Sequence, residues 1–122
     1  MIPGLGSGRA IFLATGVTDL RYGISALYAR ILTEFRHEPL SGAIYGFANR
    51  RRDAVKLFCY DTGGIWICVK RLERGTFRWP GDGARTVQLT ATDLHLLLGG
   101  IDPTRTRLRR WWQPVEGLAA GA

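Results

Sequence analysis

Three segments in the middle of the chain are rich in β-branched and aromatic residues and are separated by turn residues. They cover residues 43–47, 54–60 and 65–72. This composition predicts β-strands, and the short connections between them predict an antiparallel meander. Smaller segments of the same kind predict further strands, at residues 10–14, 76–79 and 86–89.

Two other segments place apolar residues every three or four positions, as the buried face of a helix requires. The first begins after a cap at Thr18 or Asp19 and ends before Pro39; its apolar positions are Leu20, Ile24, Leu27, Tyr28, Ile31, Leu32 and Phe35. The second begins at Thr90, which together with Asp93 resembles a capping box. Its apolar stripe consists of Leu94, Leu97, Leu98 and Ile101.

These elements together predict one α+β domain over residues 1–122. Its antiparallel sheet is a meander of about five to six strands, with one N-terminal and one C-terminal helix packed on it. A closed barrel and an open sheet both fit the pattern. Residues 1–8 and 113–122 are expected to be flexible, and residues 103–112 form a basic tail of arginine and tryptophan.

The chain carries a net charge of +7, and 15 of its 17 cationic residues are arginine. Residues 1–49 contain four cations and three anions, whereas residues 50–122 contain 13 cations and seven anions. Arginine combines a planar fork for phosphate or carboxylate with a flat face for stacking. This excess of arginine is typical of a protein that binds nucleic acid. It is equally typical of a solvated surface that is rich in arginine.

Two basic clusters come together if the predicted strands at residues 54–60 and 65–72 form an antiparallel pair. Arg50, Arg51 and Arg52 lie on the turn before the strand at 54–60, whereas Arg71 and Arg74 lie at the end of the strand at 65–72. An antiparallel pair brings these positions to the same end of the sheet. We therefore predict a patch that binds phosphates. The alternative is a solvated sheet end that nearby acids neutralise.

Other residues extend the predicted surface. Lys56 and Lys70 interrupt apolar strands, so we expect their ammonium groups on an open face of the sheet or at its rim. Arg78 and Trp79 follow the second cluster in sequence. Glu73 lies among the arginines of that cluster, and we interpret it as the acid that orients them.

The basic tail contains a further cluster, consisting of Arg109, Arg110, Trp111 and Trp112. Such a segment can dock on a partner or on nucleic acid. It can equally fold back and cover an open sheet edge.

No residue has the setting of a catalytic group or a metal ligand. The acids lie at expected helix termini, in turns or among arginines, so no set of carboxylates is presented for a metal. His37 and His95 are isolated, and no pair of Cys or His residues has a chelating spacing. We therefore predict no enzyme activity, no metal and no cofactor.

The two cysteines, Cys59 and Cys68, flank the turn at residues 61–64. A two-residue turn at Gly63 and Gly64 places them opposite each other, whereas a three-residue loop takes them out of register. We expect reduced thiols in either geometry.

Two cysteines, the absence of a signal peptide and the absence of an apolar run of roughly 18 residues indicate a cytoplasmic protein without a membrane segment. If it binds DNA, it associates with the nucleoid.

Several motifs resemble one known family, in the order in which they occur. They are GVTDLR at residues 16–21 with Gly23, Phe47-x-Asn49-Arg50-Arg51, Lys56 with Asp61 and Gly64, KRLERG at residues 70–75 with Phe77 and Trp79-Pro80, and Leu97-Leu98 with residues 100–102. Over about residues 2–102 the chain resembles the second-reading-frame accessory protein, labelled TnpB, of the bacterial insertion-sequence class sixty-six. Tyr22 stands where the family pattern has a second basic residue, and the tail after Pro103 lies outside the pattern.

The resemblance implies an accessory protein of DNA transposition, encoded beside a separate transposase that performs the strand chemistry. We predict a non-enzymatic protein that contacts transposon DNA, the transposase or both through its basic sheet end. The alternative is a protein-interaction module of the transposition complex that makes no direct DNA contact. In that case the aromatic residues matter more than the charge, namely Phe77, Trp79, Trp111 and Trp112.

Overall fold

The computed structural model describes residues 8–81, 83–99 and 113–115. Its strands are β1 (Ile11–Val17), β2 (Ile44–Ala48), β3 (Ala54–Asp61), β4 (Gly64–Arg71), β5 (Thr86–Leu89) and the two-residue β6 (Gln113–Pro114). Its α-helices are α1 (Ile24–Arg30) and α2 (Ala91–Leu98), and α1 continues into a π-helical turn at Ile31–Phe35. A short 3₁₀ turn at Pro39–Ser41 precedes β2.

The strands form one mixed sheet in the order β4-β3-β2-β1-β5-β6. The α+β class is confirmed, but the prediction of a wholly antiparallel meander was wrong. Strands β1 and β2 pair in parallel, with Ile11 opposite Ile44, while the other pairs are antiparallel. A parallel pair needs a crossover connection, and α1 lies in it.

The two helices lie on opposite faces of the sheet, because alternate residues of β1 belong to different cores. Ile11 and Leu13 pack with the buried leucines of α2. Phe12 and Ala14 pack with Leu27 of α1 and with the π-helical turn. Both faces of the sheet are therefore covered, instead of one face being left open as expected for Lys56 and Lys70. None of the described helices is long and apolar enough to cross a membrane.

The first helix begins later than the apolar spacing predicts. Asp19 does not cap it: its Oδ1 accepts from the backbone N–H of Arg21 at 3.0 Å, and its carbonyl accepts from Tyr22 at 3.1 Å. These bonds form a turn, so Leu20 lies before the helix and Gly23 is its N-cap. The second helix begins as predicted, with Thr90 Oγ1 accepting from the backbone N–H of Asp93 at 3.1 Å.

The β3–β4 hairpin turns at Thr62 and Gly63, which have φ values of 46° and 80°. Neither of the two predicted turns forms. Cys59 consequently lies opposite Trp66, and Cys68 lies opposite Leu57. Cys59 and Cys68 form no disulfide within the described residues, and they share one face of the sheet, two residues out of register.

Residues 76–79 do not form the predicted fourth strand of the meander. Their aromatic side chains turn inward instead: Phe77 is only 3% exposed, and Trp79 packs against the same core as α2. Trp79 Nε1 donates to the Ala14 carbonyl at 2.8 Å. This segment therefore closes the α2 side of the sheet.

Candidate nucleic-acid interface

The β2–β3 turn is a rigid platform with two arginines at its tip. Asn49 Oδ1 accepts from the backbone N–H groups of Asp53 and Ala54, at 3.1 and 3.2 Å, and Asn49 Nδ2 donates to Asp53 Oδ1 at 2.7 Å. These bonds fix the loop from both sides. Arg50 and Arg51 are exposed, and neither makes a hydrogen bond or ion pair within the described residues.

The end of β4 lies directly beside this turn. Arg71 pairs with Ala54 in the sheet, and the backbone N–H of Leu72 donates to the Asp53 carbonyl at 2.7 Å. Arg71 Nη1 lies 4.0 Å from Asp53 Oδ1, and the Arg71 side chain is 67% exposed. A contact that long and that exposed holds the guanidinium weakly, so Arg71 is available to a ligand.

A groove of about 480 Å³ joins these arginines to the connection that leads from β1 towards α1. We call it the basic groove. It is lined by Val17, Thr18, Asp19, Leu20, Arg21, Asn49, Arg50, Arg51 and Arg71. The predicted neighbours Arg50, Arg51 and Arg71 thus share one concave surface.

Arg21 is a member of the groove that sequence reasoning missed. The parallel pairing of β1 and β2 brings the carboxyl ends of both strands together, and only that pairing reveals the neighbourhood. Arg21 forms a forked ion pair with Asp19, with Nη2 2.7 Å from Oδ2. The hydrogen bonds from Arg21 lower the pKa of Asp19 to about 2, so this carboxylate stays charged at physiological pH.

Arg52 differs from its two neighbours, because its side chain is built into the fold. Arg52 Nη2 donates to the Thr15 carbonyl at 2.7 Å and Nη1 donates to the Gly16 carbonyl at 3.4 Å. The residue has a φ of 60°, and burial lowers the pKa of its guanidinium. Arg52 therefore connects the turn to β1. Its side chain does not line the same surface as Arg50 and Arg51, although the prediction grouped all three.

Replacing Arg52 with alanine is expected to lower the free energy of unfolding by about 2 kcal/mol, because two charge-assisted bonds to strand carbonyls are lost. Arg51→Ala is the matched control, because replacing an exposed side chain at the turn tip changes the free energy of unfolding by no more than about 0.5 kcal/mol. Urea unfolding followed by tryptophan fluorescence measures both. Equal stabilities for the two variants would show that Arg52 does not support the turn.

Three other predicted contact residues also serve the fold. Lys56 Nζ donates to the Tyr22 carbonyl at 2.9 Å, just before α1. Lys70 Nζ donates to the Leu98 carbonyl at 2.6 Å, at the end of α2. Each lysine thus links the sheet to one helix region, on opposite faces. Trp79 is committed to the core, as described above.

The remaining predicted residues divide into two groups. Arg74, Arg78 and Glu73 are exposed on the segment after β4. Glu73 makes no ion pair within the described part of the chain, and the acid nearest to Arg71 is Asp53. The residues Arg109, Arg110, Trp111 and Trp112 lie outside the described residues.

Thr18 provides a buried polar group beneath the basic groove. Its backbone N–H donates to the Ala48 carbonyl at 2.9 Å, but its hydroxyl has no hydrogen-bond partner within the described residues. The residue is only 1% exposed. A buried hydroxyl without a partner costs stability, because it has lost its bonds to water.

Replacing Thr18 with valine is therefore expected to raise the free energy of unfolding by about 1 kcal/mol. Valine keeps the shape and the backbone bond and removes only the unsatisfied hydroxyl. Thermal and urea denaturation of the two proteins measure the difference. A less stable Thr18→Val variant would mean that the hydroxyl has a partner in solution, such as a bound water.

A second cavity, of about 880 Å³, lies at the opposite end of the sheet. His37 Nδ1 lies 3.1 Å from the buried Tyr45 hydroxyl, and burial lowers the pKa of His37. The imidazole is thus part of a structural contact. Within the described residues, no three side chains of His, Cys, Asp or Glu cluster so as to hold a metal ion.

Comparison with known proteins places the chain in a family. The chain is 32% identical over 119 residues to "Uncharacterized protein y4hO" of Sinorhizobium fredii (strain NBRC 101917 / NGR234), which covers 95% of this chain and 98% of the relative. It is 28% identical over 109 residues to "Uncharacterized protein y4jC" of the same strain, and this alignment covers 89% of this chain and 93% of the relative. No solved structure matches.

The family model described as IS66 Orf2 like protein, TnpB_IS66, matches residues 9–108. This range contains the complete basic groove and both helices. The resemblance noted in the motifs is confirmed, and the chain belongs to the IS66 Orf2-like family of transposition-associated accessory proteins.

Proposed function

We propose that this accessory protein contacts DNA through the basic groove, with Arg50, Arg51 and Arg71 as the main phosphate ligands. The observation that carries the proposal is their convergence: Arg50 and Arg51 share one concave surface with Arg71, which lies about 20 residues away in sequence. The turn and strand that present them are held by backbone bonds. Phosphate binding therefore needs little rearrangement of the fold.

The acids near the groove do not cancel this charge. Asp19 is paired with Arg21, and Asp53 accepts from Asn49 at 2.7 Å while lying 4.0 Å from Arg71. Arg50 and Arg51 consequently carry the uncompensated charge of the groove. Arginine forks match phosphate oxygens. We propose that the contact positions the protein on DNA and that sequence is selected elsewhere.

The direct test is the binding of the full chain to duplex DNA from the ends of its element, with unrelated duplex of equal length as comparison. Fluorescence anisotropy over a salt series gives the dependence of log K on log salt. Three phosphate contacts predict a slope of about −2.7. We expect similar affinity for both duplexes. No binding at low salt would overturn the proposal.

The transposase of the same element is the proposed protein partner. An interaction module without DNA contact finds less support, since Phe77 and Trp79 are used in the core. Co-purification with the transposase in high salt tests that alternative. An interaction that survives high salt, in a protein that fails the DNA test, would favour it.

A further inference from the structure

Strand β4 is an outer strand of the sheet with an unusual amount of exposed apolar surface. It is eight residues long and pairs only with β3 among the described strands. Trp66 is 51% exposed and Val69 is 58% exposed. A long apolar edge is a template for pairing with another strand, and it requires a physical explanation.

The hairpin geometry shows which backbone groups β4 offers. Asp61 and Gly64 flank the two-residue turn, and the Leu72 N–H donates to the Asp53 carbonyl. In an antiparallel pair, hydrogen-bonded positions alternate. The even-numbered residues of β4 therefore bond to β3. The N–H and C=O groups of Ile65, Ile67 and Val69 point away from the sheet.

We propose that β4 pairs antiparallel with β4 of a second copy of this chain, about a two-fold axis at Ile67. In this register Ile65 lies opposite Val69, Ile67 opposite Ile67, and Trp66 opposite Cys68. Every apolar side chain of the strand then meets an apolar neighbour. These are the cross-strand pairs that stabilise antiparallel sheets.

Charge disfavours a shift of this register towards the basic end of the strand, and it disfavours a parallel arrangement. Lys70 and Arg71 occupy one end of β4, and the turn that follows Asp61 lies at the other end. The antiparallel arrangement sets Lys70 opposite Gly64 of the second copy and keeps like charges apart. A register shifted to centre on Cys68 sets Lys70 against Trp66 and Arg71 against Ile65. A parallel arrangement sets the basic ends side by side.

The resulting dimer has a continuous sheet with a basic groove at each end. The two Arg71 residues are eight strand positions apart, which is about 27 Å along the strands. The grooves face opposite directions. If the proposed DNA contact holds, one dimer can hold two DNA segments; the dimer itself does not depend on that contact.

Val69→Lys in the full chain tests the interface, with Leu32→Lys as the matched control. Both positions are exposed and apolar, but Leu32 lies on the π-helical turn and not on the edge strand. Sedimentation over a concentration series should show a dimer for the wild type and for Leu32→Lys. Val69→Lys should raise the dimer dissociation constant at least about tenfold.

A mixing experiment tests the register. Ile65→Glu and Val69→Lys chains should each dimerise weakly, while their equimolar mixture should form a heterodimer with one Glu–Lys pair across the strands. Circular dichroism first checks that each variant is folded; if Ile65→Glu is not, the Val69→Lys and Leu32→Lys comparison decides alone. A monomeric wild type, a dimer unaffected by Val69→Lys, or no recovery on mixing folded variants overturns the proposal.

Discussion

Replacing Gly46 with valine is expected to lower the free energy of unfolding by about 3 kcal/mol. Gly46 lies in the middle of β2, and β2 lies between β1 and β3. A Cβ at this position would overlap the Leu13 side chain and approach Leu57 Cδ2 to 3.1 Å. Overpacking a filled core forces side chains off their rotamers and shifts backbone.

The indole of Trp79 leaves the side chains little room to adjust. Its Cη2 atom lies 3.7 Å from the Cβ position of a residue at 46, and its Nε1 is bonded to Ala14. A larger residue at position 46 must displace Leu13, Leu57 or the indole. Displacing the indole costs its hydrogen bond as well as its packing.

Urea unfolding of Gly46→Val measures the loss, and Gly16→Val is the matched control. Gly16 lies in β1, and a Cβ there would meet no atom within 4 Å. The double variant Leu13→Ala/Gly46→Val should be more stable than the sum of the two single losses predicts, because the smaller side chain frees the space. Equal losses at positions 46 and 16 would show that close packing is not what requires glycine.

Local sequence patterns predict the elements of this fold better than their arrangement. The spacing of α2 and its Thr90 cap fix that helix, and the run of β-branched residues identifies β3 and β4. These signals act between neighbours in sequence, where propensity and side-chain capping decide the structure. The proximity of Arg50, Arg51 and Arg71 follows from the same local hairpin.

The arrangement that sequence could not reveal depends on contacts between distant segments. The helix predicted between the strand segments 10–14 and 43–47 permits a parallel crossover, but only contacts between distant segments show that β1 and β2 are neighbours. That pair places Arg21 at the groove. Likewise, a cation in a basic run looks the same whether it is solvated or bonded. Arg52 and Lys70 bond to carbonyls 37 and 28 positions away, so their roles became visible only in the folded chain.

The run from residue 70 to residue 80 shows both effects. Its cations alone are typical of one continuous surface for polyanions, but in the fold its residues have different roles. Arg71 faces the groove, whereas Phe77 and Trp79 complete the core above β1 and β2. Phe77 and Trp79 therefore stabilise the sheet, and Arg71 lies at the end of that same sheet.

The triple variant Arg50→Ala/Arg51→Ala/Arg71→Ala is expected to lose several hundredfold in DNA affinity at about 0.1 M salt. Each phosphate contact contributes about 0.9 to the slope of log K against log salt, so three lost contacts reduce the slope by about 2.7. The same relation gives the loss of affinity at that salt concentration. Anisotropy titrations at several salt concentrations measure both quantities on one duplex.

Two controls separate the groove from charge in general. The Arg36→Asn variant removes a cation beside the other cavity, and asparagine tolerates the left-handed backbone at φ 57°. It should reduce the slope by far less than one contact. Replacing Arg50, Arg51 and Arg71 with lysine keeps the charge and should keep most of the slope, while losing the forked hydrogen bonds.

The stability of the triple variant decides how its binding loss is interpreted. All three side chains are exposed, and the contact between Arg71 and Asp53 is long and solvated, so unfolding should change by no more than about 0.5 kcal/mol per residue. A folded triple variant with an unchanged slope would place the phosphate contacts outside the groove. Full recovery by lysine would show that charge alone acts there, whereas partial recovery would show that the groove also recognises phosphate through arginine geometry.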